Sequence, residues 1–252
     1  MTWILLRGLT REARHWGDFV PRFATHIDGE NVVALDLPGN GAFMSRISPT
    51  SVHSMVEFAR GQLQIQGLQP PYRLLAMSLG GMVAVDWAQQ HPDDIAALVL
   101  INTSMRPFGS LTQRLRPASW LSLARLAMRW QNAERVEQAI HWLTCNESLS
   151  RHKDLATWLQ IREGAPVSAG NAARQLWAAA RFSCAAAPPG CATLVLSSAN
   201  DHLVNPVCSA RLATAWQADH QQHPWAGHDL PHDDADWVCR QVADWPGSAS
   251  HD

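Results

Sequence analysis

The stretch Leu74-Leu75-Ala76-Met77-Ser78-Leu79-Gly80-Gly81-Met82 is an apolar run that reaches a serine and then resumes with helical periodicity. An apolar run without alternation suits a strand covered on both faces. A serine where such a strand meets a helix sits on a tight turn that strains its backbone and pushes its Oγ outward. Side chains two places before and after must be small, because the returning chain passes close by, and Ala76 and Gly80 meet that need. The turn also aims the helix N-terminus and the Leu79 N–H at the serine, where they can stabilise a developing negative charge. Taken alone, the same residues would equally make a glycine-rich turn that only packs a helix on a strand.

Working outward, short apolar runs recur at residues 3–6, 32–35, 72–76, 97–101 and 192–196, each ended by Gly, Pro, Asp, Asn or Ser. Helical patterns lie between them at 52–66 and 82–90, the second stopped by Pro92. Strand and helix alternate, which predicts an α/β class with a mostly parallel sheet flanked by helices. The alternation lapses between about 103 and 189. There Trp120, Leu123, Leu126, Ala127 and Trp130 recur at three and four residues, as do Val136, Ile140 and Leu143. Leu155, Trp158 and Leu159, then Leu176, Trp177 and Ala180, continue the pattern, which predicts four amphipathic helices. The expected organisation is a core of residues 1–103 and 188–252 with a helical cap inserted at 104–187. No internal repeat is visible, so one composite domain is expected.

A serine hydroxyl is a poor nucleophile unless a histidine takes its proton and a carboxylate orients the histidine. The run at 192–196 leads into Ser197-Ser198-Ala199-Asn200-Asp201-His202, which puts Asp201 just past a strand end, where sites of open α/β sheets gather. Further on comes Trp225-Ala226-Gly227-His228-Asp229-Leu230-Pro231, with His228 27 residues beyond Asp201. Ser78, Asp201 and His228 therefore stand in the order that a strand-elbow serine requires of its partners. Singly, Asp201 reads as a turn former and His228 as a loop histidine; it is the three together that carry the reading.

Rival chemistries fail on spacing. Gly39-Asn40-Gly41-Ala42-Phe43-Met44 begins like a dinucleotide fingerprint but has Met44 at its third glycine. His220, His223, His228 and His232 with Asp229, Asp233 and Asp234 suggest a metal, but Pro224 and Pro231 interrupt the helix a paired-histidine motif wants. No metal is expected, and Asp36 before Pro38 and Gly39 reads as a structural turn. The only lysine, Lys153, stands in no glycine-rich loop, which excludes a P-loop.

The 252 residues carry 20 basic and 22 acidic side chains, a formal charge of −2 that offers no footprint for nucleic acid or anionic lipid. No apolar run approaches the ~20 residues that span a bilayer. Residues 1–6 do not read as a leader, so a cytoplasmic protein is expected. Five cysteines, Cys145, Cys184, Cys191, Cys208 and Cys239, fall at irregular spacings and read as free thiols. Twelve Trp residues point to an aromatic-lined region, most of the cap's five being expected in its interior and one or two facing the serine. Arg106, Arg114, Arg116, Arg125 and Arg129 read as a solvated basic face, or else a docking patch for an acidic carrier.

Together these segments resemble the α/β-hydrolase fold family with a helical cap, in the branch that holds the pimeloyl-carrier-protein methyl ester carboxylesterase and related small esterases. Arg7-Gly8-Leu9-Thr10 with Trp16 resembles the family's His-Gly-x-x stretch and its trailing Trp, and Asp36-Leu37-Pro38-Gly39-Asn40-Gly41 its Asp-x-Pro-Gly-x-Gly turn. Ser78-Leu79-Gly80-Gly81, Asn200-Asp201-His202 and Ala226-Gly227-His228 resemble its nucleophile, acid and base segments. The resemblance implies Ser78 as nucleophile, His228 as general base and acid, Asp201 as orienting carboxylate, and the N–H groups of Leu9 and Leu79 as oxyanion hole. It also implies that the family's opening antiparallel hairpin is missing. Ala76 stands in place of the usual first elbow glycine, and activity is expected to survive. Arg7 replaces the usual histidine and, with Trp16, is a candidate substrate-binding residue, its fork suited to a carboxylate or phosphate. The alternative is that Arg7 pairs with a nearby acid or carbonyl and braces the loop.

The function expected is a serine hydrolase acting without cofactor on a small to medium carboxylic ester or thioester, a carrier-linked one included. A lyase, acyltransferase or carbon–carbon hydrolase using the same triad stays open, as does a ligand-binding protein without catalysis.

Overall fold

The computed structural model describes residues 1–27 and 29–248. Six strands form one sheet: β1 (Thr2–Leu6), β2 (Asn31–Leu35), β3 (Tyr72–Met77), β4 (Ile95–Ile101), β5 (Ala192–Ser198) and β6 (Asp219–His223). Their order is β2-β1-β3-β4-β5-β6 and every neighbouring pair is parallel. The chain leaves β1 for β2 on one side and returns to β3 on the other, so the strand order reverses between β1 and β3. Crevices open at the C-terminal ends of strands at such a reversal.

Alternation within each buried strand divides the core. Ile4, Leu6, Leu74, Leu98, Leu100 and Val195 face one layer. Trp3, Leu5, Leu75, Val99, Ile101 and Leu196 face the other. Against the first layer pack α2 (Val52–Ile65), through Met55, Val56 and Leu63, and α3 (Leu79–Gln90), through Val83 and Trp87. Against the second packs α1 (Phe19–His26), through Phe19 and Phe23. Burial on both faces is why these strands read as continuous apolar runs.

Strand β6 breaks that rule. Its sequence, Asp219-His220-Gln221-Gln222-His223, is polar throughout, and it forms the sheet edge with most of its residues outside the core. Backbone pairing to β5, from Leu194 opposite Asp219 to Ser198 opposite His223, holds it.

Between β4 and β5 run α4 (Leu111–Arg114), α5 (Pro117–Met128), α6 (Ala133–Thr144), α7 (Arg151–Gly164) and α8 (Ala169–Arg181). After β5 come α9 (Val207–Trp216), α10 (Leu230–Asp233) and α11 (Ala235–Ala243). The insertion is pinned to the core by a buried ion network: Arg11 donates to Glu137 of α6 at 2.7 Å, and Arg162 of α7 donates to the other Glu137 oxygen at 3.2 Å. Arg11 also lies over the Trp158 ring at 4.3 Å.

Two expectations about the insertion need correction. Only Trp158 is buried and Trp130 partly so, while Trp120, Trp142 and Trp177 are exposed. Burial of one stripe per helix leaves the other flank in water, and an indole tolerates that exposure when its N–H is satisfied, as by Leu115 O for Trp120. Nor are all five arginines a solvated face. Arg114 is buried with its Nη atoms on the Ala179 and Ala180 carbonyls, and Arg116 reaches the Asp201 carbonyl at 2.6 Å. Carbonyls at helix ends and in loops need donors, and these arginines supply them. Among the described residues no helix is long and apolar enough to cross a membrane, and all five cysteines are free thiols.

Candidate active site

Ser78 stands between β3 and α3 with φ 53° and ψ −119°, a backbone region that L residues rarely adopt. Two glycines allow the turn. A Cβ on Gly80 would lie 2.5 Å from the Leu6 carbonyl oxygen, and one on Gly81 would lie 2.7 Å from Thr103. Thr103 Oγ1 donates to the Ser78 carbonyl at 2.8 Å, which fastens the elbow to the end of β4. Gly8, at the end of β1, passes so close that a Cβ there would stand 3.1 Å from the Ser78 Cβ. That approach brings the Leu9 segment beside the serine from one side, while Leu79 opens α3 on the other, where the first N–H groups of a helix lack intrahelical acceptors.

Asp201 and His228 come from the ends of β5 and β6. His228 Nδ1 lies 2.7 Å from Asp201 Oδ2, and both residues are buried. The other carboxylate oxygen accepts the N–H groups of Leu203 and Val204 at 2.7 and 2.9 Å. With its oxygens taken up by these donors, the Asp201 carboxylate sets the His228 proton on Nδ1, leaving Nε2 as the basic nitrogen. Burial opposes charging His228, but the charge and hydrogen bond of Asp201, with Asp229 beyond, outweigh it and hold the imidazole above its ordinary pKa.

Arg7 lines the cleft at Ser78, but its guanidinium is already paired within the protein. Its Nη1 and Nη2 donate to Asp229 Oδ1 and Oδ2 at 3.0 and 2.5 Å, its guanidinium lies 4.7 Å from the Trp16 ring centroid, and both Arg7 and Asp229 are buried. Trp16 itself belongs to the core layer of Phe19 and Phe23 and does not line the cleft at Ser78. A planar fork buried beside a carboxylate satisfies itself bidentately before any substrate arrives. Burial pushes the Asp229 carboxyl up, but Arg7 more than offsets this, and its pKa lies below the ordinary value.

Two clefts meet at the serine. One, of about 670 Å³, is walled by Leu126, Trp130, Ile140 and Leu143 of the insertion. The second, of about 820 Å³, is walled by Met82, Leu111, Leu176 and Ala179. Ser78, His228, Leu9, Leu123 and Leu203 line both. A group bound at Ser78 thus has an apolar recess on either side.

Residues 4–235 match the family described as alpha/beta hydrolase fold. The chain belongs to this family. Among curated relatives, a biotin biosynthesis bifunctional protein of Teredinibacter turnerae is 32% identical over 102 residues, which are 40% of this chain and 17% of that protein. A pimeloyl-[acyl-carrier protein] methyl ester esterase of Chromobacterium violaceum is 34% identical over 85 residues, 34% of this chain and 28% of that one. The matched stretches therefore span well under two thirds of these relatives' length. Among solved structures, the enol-lactonase of Burkholderia xenovorans superposes with a TM-score of 0.78 at 19% identity, covering 96% of this chain and 90% of that one. That likeness shows the shared fold.

In this hydrolase-family chain three positioning residues escape a reading by motif. Asn102, at φ 45°, donates to Ser198 Oγ and to the Gly227 and His228 carbonyls, and accepts the Ser198 N–H, tying the acid and base loops together. Gln175 of α8, fully buried, accepts the Thr10 N–H at 2.9 Å and donates to Asn40 and Ser48, fixing the loop that carries Leu9. Asp229 neutralises Arg7. An Asn directly after an apolar strand was a readable signal for the first, since Asn tolerates left-handed backbone. Gln175 and Asp229 carried none.

Proposed function

We propose that the protein is a serine hydrolase that cleaves carboxylic esters or thioesters of small to medium size through an acyl-enzyme. The observation that carries this reading is the serine on a left-handed strand-to-helix turn, sharing its cleft with a histidine whose far nitrogen is held by a buried carboxylate. In the reaction Ser78 Oγ attacks the carbonyl carbon while His228 Nε2 takes its proton. The oxyanion accepts from the Leu9 and Leu79 N–H groups. Collapse expels the alcohol or thiol, protonated by His228, and water activated by the same imidazole releases the acid. Asp201 orients the imidazole and stabilises the imidazolium that forms.

Residues 104–187 act as the cap in this reading, and the two apolar recesses take the acyl and leaving groups. A carrier-linked thioester or ester belongs to the proposed range, on the strength of the relative named for an acyl-carrier-protein ester. Arg7 serves the site as a brace. The test is a panel of p-nitrophenyl esters and acyl thioesters with Ser78→Ala alongside. Turnover that falls at least a thousandfold in the variant supports the proposal. Unchanged turnover in the variant, or tight binding without turnover by the parent protein, contradicts it.

A further inference from the structure

The two recesses at Ser78 differ in charge. The first is lined by two arginines, and both are neutralised, Arg7 by Asp229 and Arg11 by Glu137. The second holds one arginine, Arg114 of α4, and among the described residues no carboxylate lines it. Ser78, Ser104 and His228 are its other polar residues, and the rest of its wall is apolar. Four arginines are buried among the described residues, and Arg7, Arg11 and Arg73 each have a carboxylate partner. Arg114, only 7% exposed, is the one of the four that makes no ion pair.

Capping of a helix explains where Arg114 lies and leaves its charge unbalanced. Its Nη atoms donate to the Ala179 and Ala180 carbonyls near the end of α8, which occupies two of the five N–H donors of a guanidinium. Nε is buried with no acceptor. Arg106 also donates to that helix end, at the Arg181 carbonyl, so two full positive charges meet a C-terminus worth about half a negative one. Arg106 is exposed and screened by water and salt, whereas Arg114 is not. Burial first, and then Arg106, push the Arg114 pKa down, yet a guanidinium keeps its proton at neutral pH. A buried charge without a counter-ion is costly, and in the wall of a cleft that opens to solvent a ligand can supply one.

We propose that Arg114 receives a carboxylate of the substrate, so that the ester or thioester cleaved at Ser78 carries a free carboxylate on the group that enters the second recess. This rests on the hydrolase reading above and narrows its substrate class. A planar fork matches the two oxygens of a carboxylate, and a low-dielectric recess strengthens the pair. A phosphate dianion would need more donors than one guanidinium among Met82, Leu111, Leu115 and Leu176 supplies. Those apolar walls suit methylenes between the carboxylate and the reacting carbonyl. The arginine stem is set in place beforehand: a Cβ on Gly109 would stand 3.1 Å from the Arg114 Cγ, and pre-set geometry lowers the ordering cost of binding. A contact remote from the reacting atoms binds ground and transition states alike, so Arg114 acts on KM and not on kcat.

The experiment compares matched esters that differ by one charge. On the acyl side, mono-p-nitrophenyl glutarate is set against its uncharged isostere, p-nitrophenyl 5-methylhexanoate. On the alcohol side, 4-acetoxybutyrate is set against 4-methylpentyl acetate. The parent protein should favour the carboxylate in one of the pairs by about tenfold or more in kcat/KM, expressed in KM. Arg114→Met should erase that preference, Arg114→Lys should restore part of it, and Arg240→Met, on the surface, should leave the ratio as it was. Each ratio is internal to one protein, so a variant that folds in low yield still reports it. Equal or better turnover of the uncharged ester in both pairs overturns the proposal, as does a preference that survives Arg114→Met. If neither pair is turned over, the hydrolase reading fails on its own, and calorimetry with monomethyl adipate against dimethyl adipate decides the site. Binding of the monoanion that is lost in Arg114→Met supports it, and equal binding of the two, or of neither, overturns it.

Discussion

With both ends of its guanidinium donated to Asp229, Arg7 cannot be removed without stranding a charge where water does not reach. Breaking one side of a buried pair costs about 3–5 kcal/mol, whereas replacing both sides with apolar groups is often neutral. Arg7→Met should lower stability by about that amount in urea titrations, and Arg7→Met with Asp229→Leu should recover most of it. Selective loss of anionic substrates with unchanged stability would instead make Arg7 a ligand-binding group. The folded pKa of Asp229 lies below its unfolded value of ~3.9, so the pair's contribution is present above that pH and fades as pH falls through the lowered value. For His228 the sign is opposite. Its raised pKa places the acid limb of kcat/KM above the ~6.5 of a free imidazole, and activity falls as pH drops through it. Asp201→Asn removes the largest group favouring the charged ring, so that limb should move to lower pH while kcat falls about 10³–10⁴-fold. A pH–rate profile on both proteins checks the two together, and an unmoved limb would contradict the assignment.

At the scale of elements, the site is a set of strand ends held in register by residues that do no chemistry. Gln175 reaches from α8 to the Thr10 N–H and so governs where the Leu9 amide stands. Gln175→Leu removes that bond and should lower kcat about tenfold, the equivalent of ~1.4 kcal/mol, with little change in KM. An equal effect on KM would place Gln175 in substrate binding. The same contrast explains what a sequence reveals at this scale. β1, β3, β4 and β5 are legible because burial on both faces leaves an unbroken apolar record. β6 leaves none, since its polar residues are tolerated at an edge that needs only backbone pairing. The insertion's helices are legible from their periodicity, but the flank each turns to water depends on neighbours: hence Trp142 exposed and Trp158 buried one helix apart.

Over the whole molecule, the proposed machinery draws on loops that end four strands, around Leu9, Ser78, Asp201 and His228, and assembles them on one edge of the sheet. Leu9, Ser78 and His228 each lie beside a glycine where a Cβ would crowd the neighbouring chain, Gly8, Gly80 and Gly227, and Asp201 follows the end of β5. Between brace and ligand fork the sequence could not choose for Arg7, because charge at a loop says nothing about which neighbour claims it first; Asp229, 222 residues away, does. The central claim is that Ser78 is activated by His228 in the folded chain. Intact-mass spectrometry after incubation with a fluorophosphonate tests it without presuming a substrate. The account predicts a single adduct on Ser78, absent in Ser78→Ala and slowed below the His228 pKa. No adduct on the folded protein, or one that persists in Ser78→Ala, would contradict it.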